Sequence, residues 1–113
     1  MSELEDVRKI TIAGRAFEVH VKRFSNGCFL AISEGETRKL GALELSIKTE
    51  QITSSSIIHP RFSGTFLTML AEMTANVTGG IAVVSLYLTK DVGPEIAKKI
   101  ISEARSMLST PKS

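Results

Sequence analysis

Few residues in this chain of 113 are suited to catalysis or metal binding. His20 and His59 are the only histidines and Cys28 is the only cysteine, so the usual four-ligand zinc site is not available from this chain alone. The serine run 54–56 could supply a nucleophile, but neither a G-x-S-x-G turn nor a suitably placed base accompanies it. These patterns predict a protein that has no catalytic residues and no metal.

The glycine-containing segments do not match phosphate-binding loops. Gly79-Gly80 precedes a predicted strand, which reverses the strand-to-helix order that such loops require. The segment 91–94, "DVGP", fits neither the Walker-type loop nor the dinucleotide fingerprint. We therefore expect no cofactor, and we predict a binding protein rather than an enzyme.

Charge and composition exclude several classes of partner. The formal net charge is +2 and the basic residues are scattered, whereas phosphate binding normally requires a clustered basic face. No apolar run approaches the roughly 20 residues that span a bilayer. The single cysteine and the polar N-terminus favour a reducing compartment, and Cys28 itself is predicted to be a small buried apolar residue. We expect a cytoplasmic protein, also nuclear in a eukaryote, that binds neither nucleic acid nor membrane.

The elements that would position any site begin with strands. Alternating apolar residues predict a hairpin over 10–22, and Asn26-Gly27 predicts the turn into a third strand at 28–33. A charged loop, 34–39, leads into a fourth strand at about 40–48, where Gly41 marks a bulge or a close backbone approach. Segment 49–61 fits either a fifth strand or a mobile loop, with a strand slightly favoured.

Helical periodicity starts at Phe62. The first helix is predicted to have Ser63 as its cap, to end at Gly79-Gly80, and to bury the stripe Phe66, Met69, Leu70, Met73 and Val77. A strand over 81–89 follows, and then a helix that starts near Pro94. The order predicts an α+β fold of two layers, with a mostly antiparallel sheet of five to six strands and two helices on one face. The single domain would span 9–108, between a flexible segment 1–8 and a frayed tail 109–113.

Two strands are apolar on both sides, so one sheet face should remain uncovered. Two helices are enough to cover only one face, and an uncovered apolar patch usually marks an interface. We therefore predict a dimer, with itself or with a sister subunit, although the pattern leaves open which face the helices cover. The predicted interface comprises Phe29, Ala31, Ile81, Val83 and Tyr87.

Segment 34–48, "EGETRKLGALELSIK", offers charges on a loop beside a strand. Such a loop can contact the surface of a partner, and Arg38 and Lys39 are the predicted contacts. The alternative, that both are ordinary solvated turn residues, is open.

The chain resembles the proteasome assembly chaperone 3 family, or a close assembly-chaperone relative, over roughly Lys9 to Met107. The resembling segments are "FSNGCFLAI", "KLGALELS" and "MLAEMTANVTGGIAVVSLYLTKDVGPEIAKKIISEAR". The resemblance implies a chaperone without enzymatic activity that pairs with a sister subunit, engages α-type proteasome subunits and guides ring assembly without ATP or metal. Two alternatives stay open: a dimeric scaffold or regulatory module with another partner, and a small-ligand or enzyme domain that uses the Ser/His loop 53–59.

Overall fold

The computed structural model describes residues 5–109, which form one six-stranded sheet and two helices. None of the helices in this range is long and apolar enough to cross a membrane. The elements, in chain order, are β1 (Glu5–Ile12), β2 (Arg15–Phe24), β3 (Gly27–Glu34), β4 (Ala42–Lys48), β5 (Ile52–Ile58), α1 (Gly64–Thr78), β6 (Ile81–Tyr87) and α2 (Pro94–Ser109).

The strands lie in the order β1-β2-β3-β6-β4-β5. Consecutive hairpins join β1, β2 and β3, and β6 then pairs parallel to β3, as the one parallel pair within residues 5–109. β4 pairs antiparallel with β6, and β5 forms the edge beyond β4. The prediction of an α+β fold with a mostly antiparallel sheet is confirmed, as is the strand predicted within 49–61.

Both helices pack on the same side of the sheet. The strand register places Val21, Leu30 and Val84 side by side, and these three side chains are fully buried. Leu67 of α1 and Ile100 of α2 are also fully buried and belong to the same core cluster. Burial of each such side chain stabilises the fold by about 1.5–3 kcal/mol, so this face supplies the hydrophobic core.

Helix α1 buries four of the five residues of the predicted apolar stripe at least partly, and Met69 is the exception. Met69, predicted to be buried, is 51% exposed, whereas Leu67, Ala71 and Thr74 are fully buried. The Thr74 hydroxyl donates to the Leu70 carbonyl oxygen at 2.7 Å, which satisfies the polar group inside the core. A small threonine therefore occupies a core position that the search for large apolar residues overlooked.

Ser63 precedes α1 but does not cap it in the predicted way. Its backbone is left-handed, with φ of 57°, and its hydroxyl makes no capping hydrogen bond to the helix. Instead the hydroxyl donates to Asp91 Oδ1 at 2.6 Å and accepts the Val92 N–H at 3.3 Å. The role of Ser63 is thus to join the start of α1 to the turn that precedes α2.

Some boundaries differ from the sequence prediction. Residues 5–8, expected in a flexible N-terminal segment, lie in β1 and pair with β2. Residues 1–4 and 110–113, which include most of the predicted frayed tail, lie outside the described range. β4 starts at Ala42 rather than near Leu40. Gly41 makes the predicted close backbone approach, because a Cβ there would lie 2.3 Å from the Leu86 carbonyl oxygen.

Candidate interaction surface

No helix or further strand within residues 5–109 covers the sheet face opposite the helices, here called the open face. Loop 35–41 lies over one end of it, where Ser33 and Ser85 are buried. The five residues predicted for an interface all lie on this face: Phe29, Ala31, Ile81, Val83 and Tyr87. Phe29 pairs directly with Val83, so the strands β3 and β6 bring their apolar side chains together at its centre. Each of the five is at least partly exposed, as an interface in the free protein requires.

Strand β4 adds three apolar side chains that the sequence analysis did not assign to this surface. Leu45 pairs with Val83 and Ile47 pairs with Ile81, while Leu43 lies two residues further along the same side of β4. All three are partly exposed. The alternation of β4 was visible in the sequence, but its position next to β6 was not. The resulting surface, the apolar patch, spans three neighbouring strands.

The side of β4 that faces the helices is polar. Glu44 is 2% exposed, and its Oε1 accepts hydrogen bonds from the Ser56 hydroxyl at 3.1 Å and the Thr68 hydroxyl at 3.2 Å. The buried carboxylate therefore has two hydroxyl donors, which offset part of the cost of removing it from water. Because its polar side is turned inward against α1, β4 presents its apolar side outward on the open face.

Two residues of the serine run, Ser54 and Ser56, belong to this polar layer. Ser54 donates to Glu72 Oε2 at 3.1 Å and lies 3.1 Å from the Ser46 hydroxyl. Ser54 and the neighbouring Ser56 thus use their hydroxyl groups to join β5 to α1 and β4. His59 follows the end of β5 and is exposed. The structure accounts for Ser54 as a contact between the sheet and α1, and for Ser56 as a contact between β5 and β4.

The β1–β2 half of the open face carries charges. His20 Nε2 lies 3.2 Å from Glu5 Oε2, and His20 pairs across the strands with Ala31 of the apolar patch. Lys22 pairs with Phe29 in the same way and is exposed. The open face therefore combines an apolar half with a half that contains both signs of charge.

Loop 35–41 runs along the border of the open face and is held there by two serines. The Ser33 hydroxyl accepts the Lys39 N–H at 3.0 Å and donates to the Thr37 carbonyl oxygen at 3.2 Å. The Gly41 N–H donates to the Ser85 hydroxyl at 3.0 Å. These bonds fix an otherwise irregular segment to β3 and β6.

The two cations predicted to contact a partner both turn toward the open face. Arg38 Nε donates to Glu18 Oε1 at 2.5 Å, and this hydrogen bond raises the pKa of the Arg38 guanidinium. Lys39 Nζ lies 5.1 Å from the centre of the Tyr87 ring, a distance suited to a cation–π contact. The structure thus places Arg38 and Lys39 beside the predicted interface residues, on one continuous surface.

A buried ion pair fixes the base of this loop. Both Glu34 carboxylate oxygens accept hydrogen bonds from Arg15 at 2.8 Å, and the two side chains are 9% and 12% exposed. Arg15 also donates to the carbonyl oxygens of Lys90 and Asp91, at 2.9 and 2.8 Å. The Arg15 hydrogen bonds lower the pKa of Glu34 to about 2, against the opposing effect of burial, and the same contact raises the pKa of Arg15.

Cys28 lies on the helix-facing side of β3 and is 4% exposed, so the prediction that it is buried is confirmed. Burial raises the pKa of its thiol to about 11. Within residues 5–109 no group of three or more His, Cys, Asp or Glu side chains could hold a metal ion.

Comparison with known proteins gives a structural match. No family model matches the chain, and no curated protein sequence is similar to it. Among solved structures, the fold is similar to that of a chain in a chaperone complex for yeast 20S proteasome assembly. The TM-score is 0.56, with 8% sequence identity, over 93% of this chain and 90% of that chain. At this identity the likeness shows a common fold.

Proposed function

We propose that this protein is a non-enzymatic assembly chaperone that binds α-type proteasome subunits and promotes assembly of the α-ring in the cytoplasm. It would act as a dimer, with itself or with a sister subunit of the same fold. The observation that supports this best is the uncovered apolar patch, on a fold that also occurs in the yeast chaperone complex. The sequence resemblance to proteasome assembly chaperone 3 supports the same assignment.

The size of the open face suits a dimer interface. Six strands about 4.8 Å apart and about seven residues long, at about 3.3 Å per residue, make a flat area of roughly 550 Å². Projecting side chains make the accessible area larger than this flat area. A standard interface buries about 800 Å² per partner, which is of the same order. The apolar patch, on three strands, accounts for about half of the face, so the charged half must also contribute.

The two halves would have different roles in this dimer. The apolar patch would supply most of the affinity, because burial of apolar surface drives association. The charged half, with Glu5, Glu18 and Lys22, would select the partner, since like charges brought together across an interface are unfavourable. Arg38 and Lys39 lie at the border, where they would remain accessible to an α-type subunit after dimerisation.

The dimer is tested by Val83→Asp, which places a charge at the centre of the apolar patch. We expect light scattering to show a dimer for the wild type and a monomer for the variant, with unchanged circular dichroism. Met69→Asp is the matched control, because Met69 is an exposed apolar residue on α1, away from the open face. A monomeric wild type that needs no sister subunit contradicts the dimer, and a dimeric Val83→Asp variant contradicts the assignment of the apolar patch as its interface.

The client is tested by capture and by reconstitution. We expect purified α-type proteasome subunits to bind the immobilised wild-type protein, and α-ring formation from those subunits to accelerate when the protein is added. The Val83→Asp variant should lose the acceleration. If the dimer forms but α-type subunits do not bind, the chain is a scaffold or regulatory module with a different partner.

A further inference from the structure

A groove of about 660 Å³ lies at the end of the sheet where β4 begins and β5 and β6 end. This groove, here called the end groove, has Leu86 and Leu88 at its base and Leu40, Ile58 and Phe62 among its other apolar lining residues. Its volume falls within the range of about 300–1,000 Å³ that is typical of ligand-binding clefts. The end groove is therefore large enough to enclose parts of another molecule.

Two large aliphatic side chains that line the end groove are exposed. Leu40 is 72% exposed and Ile58 is 53% exposed, although the buried Leu86 and Leu88 lie in the same groove. Single exposed apolar residues are common on protein surfaces, but two that line one cleft with an apolar base form a contiguous patch. Such a patch favours the binding of an apolar side chain.

The side chains around the end groove include basic groups. His59 and Arg61 line it, and the Arg61 guanidinium lies 5.7 Å from the centre of the Phe62 ring. Lys39 adds an ammonium group above the ring of Tyr87, a further lining residue. Among residues 5–109 no carboxylate side chain lines the groove, and the nearby Glu34 is already paired with Arg15.

We propose that the end groove binds a short extended peptide segment of a partner protein, in which one or two large apolar side chains are flanked by carboxylates. The apolar side chains would pack against Leu40 and Ile58, and the carboxylates would pair with Arg61 and Lys39 in charge-assisted hydrogen bonds. The end groove adjoins the proposed dimer interface, because Tyr87 belongs to both surfaces and Ile58 pairs with Leu43 of the apolar patch, but its base and its basic groups lie outside that patch. The proposal goes beyond the assignment to proteasome assembly and does not depend on it.

The test is a nuclear magnetic resonance titration of the ¹⁵N-labelled wild-type protein with two capped peptides. The acidic probe is Glu-Asp-Leu-Phe-Asp-Glu and the basic probe is Lys-Lys-Leu-Phe-Lys-Lys. We expect the acidic probe to bind at least about tenfold more tightly, because it alone complements the basic groups of the groove. Amide shifts should concentrate at Gly41, Ala42, Leu88 and Thr89, next to the apolar base.

Two variants and a control locate the binding. Arg61→Glu should remove the preference for the acidic probe, and Leu40→Ala should weaken binding of both probes at least about threefold, since each variant deletes one of the two recognition features. Arg105→Glu is the control, because Arg105 is an exposed cation on α2. That variant should bind like the wild type. Circular dichroism of each variant establishes that it is folded.

Several results would overturn the proposal. No amide shifts at millimolar peptide, equal binding of the two probes, or shifts centred on Val83 and Leu45 of the open face would each do so. If the wild type is a dimer and the Leu40→Ala variant is a monomer, the end groove is instead a contact between two copies of the chain. Each of these results can occur whether or not α-type proteasome subunits bind, so the two proposals are tested separately.

Discussion

Replacement of Glu34 by Gln should strongly destabilise the fold while leaving its shape unchanged. Glu34 accepts two hydrogen bonds from Arg15 and the backbone N–H of Thr89 at 3.0 Å, in a nearly buried environment. Gln has the same size but no charge, and its amide nitrogen cannot accept a hydrogen bond. The guanidinium of Arg15 would therefore stay buried without its counter-ion, which is costly.

The magnitude follows from the pKa of Glu34, which falls from its ordinary value of 4.5 to about 2. At about 1.4 kcal/mol per pH unit, the difference corresponds to about 3 kcal/mol of unfolding free energy. Because the folded pKa is the lower one, this contribution is complete above pH 4.5. It is lost as the pH falls from 4.5 through about 2, where the folded protein also binds the proton.

Denaturant unfolding followed by circular dichroism, at several pH values between 7 and 2, provides the measurement. Glu34→Gln should be less stable than the wild type by about 3 kcal/mol at pH 7, and the difference should shrink toward pH 2. Glu36→Gln, an exposed position in the same turn, is the control and should change stability by less than about 0.5 kcal/mol. A difference below about 1 kcal/mol at pH 7, or one that stays constant with pH, would refute the reasoning.

Three further predictions concern the loop and the core. In thermal melts, Gly41→Ala should lower the stability of the fold by about 1–3 kcal/mol, because the new Cβ would lie 2.3 Å from a carbonyl oxygen. Gly93→Ala is the control and should lower stability far less, because the space around Gly93 is open. Equal losses of stability in the two variants would contradict this reasoning. At pH 8, Cys28 should react with a thiol reagent about 100-fold more slowly in the folded than in the unfolded protein, since burial raises the pKa of its thiol from 9.0 to about 11. A fast reaction in the folded protein would show that β3 opens. Arg38→Glu combined with Lys39→Glu should weaken binding of α-type subunits without unfolding the domain, and affinity that is unchanged at every salt concentration would remove this loop from the site.

Much of the architecture followed from local patterns. The period-two alternation of β2 and the Asn26-Gly27 turn predicted the first hairpins, and Pro94 marked the start of α2. The uncovered face was also predictable, since β3 and β6 are apolar on both sides while two helices can cover only one. These features could be predicted because turn geometry and side-chain alternation depend on neighbouring residues in the chain.

The tertiary structure decided which side of each element faces inward. Alternation along β4 separates Leu45 and Ile47 from Glu44, but it does not say which set meets α1, and the usual assumption would have buried the leucine. Pairing with β6 turns Glu44 inward, where hydroxyls from β5 and α1 bind it, and so places Leu45 on the open face beside Val83. The composition of the candidate surface thus depended on contacts between residues far apart in the sequence, which only the assembled sheet could supply.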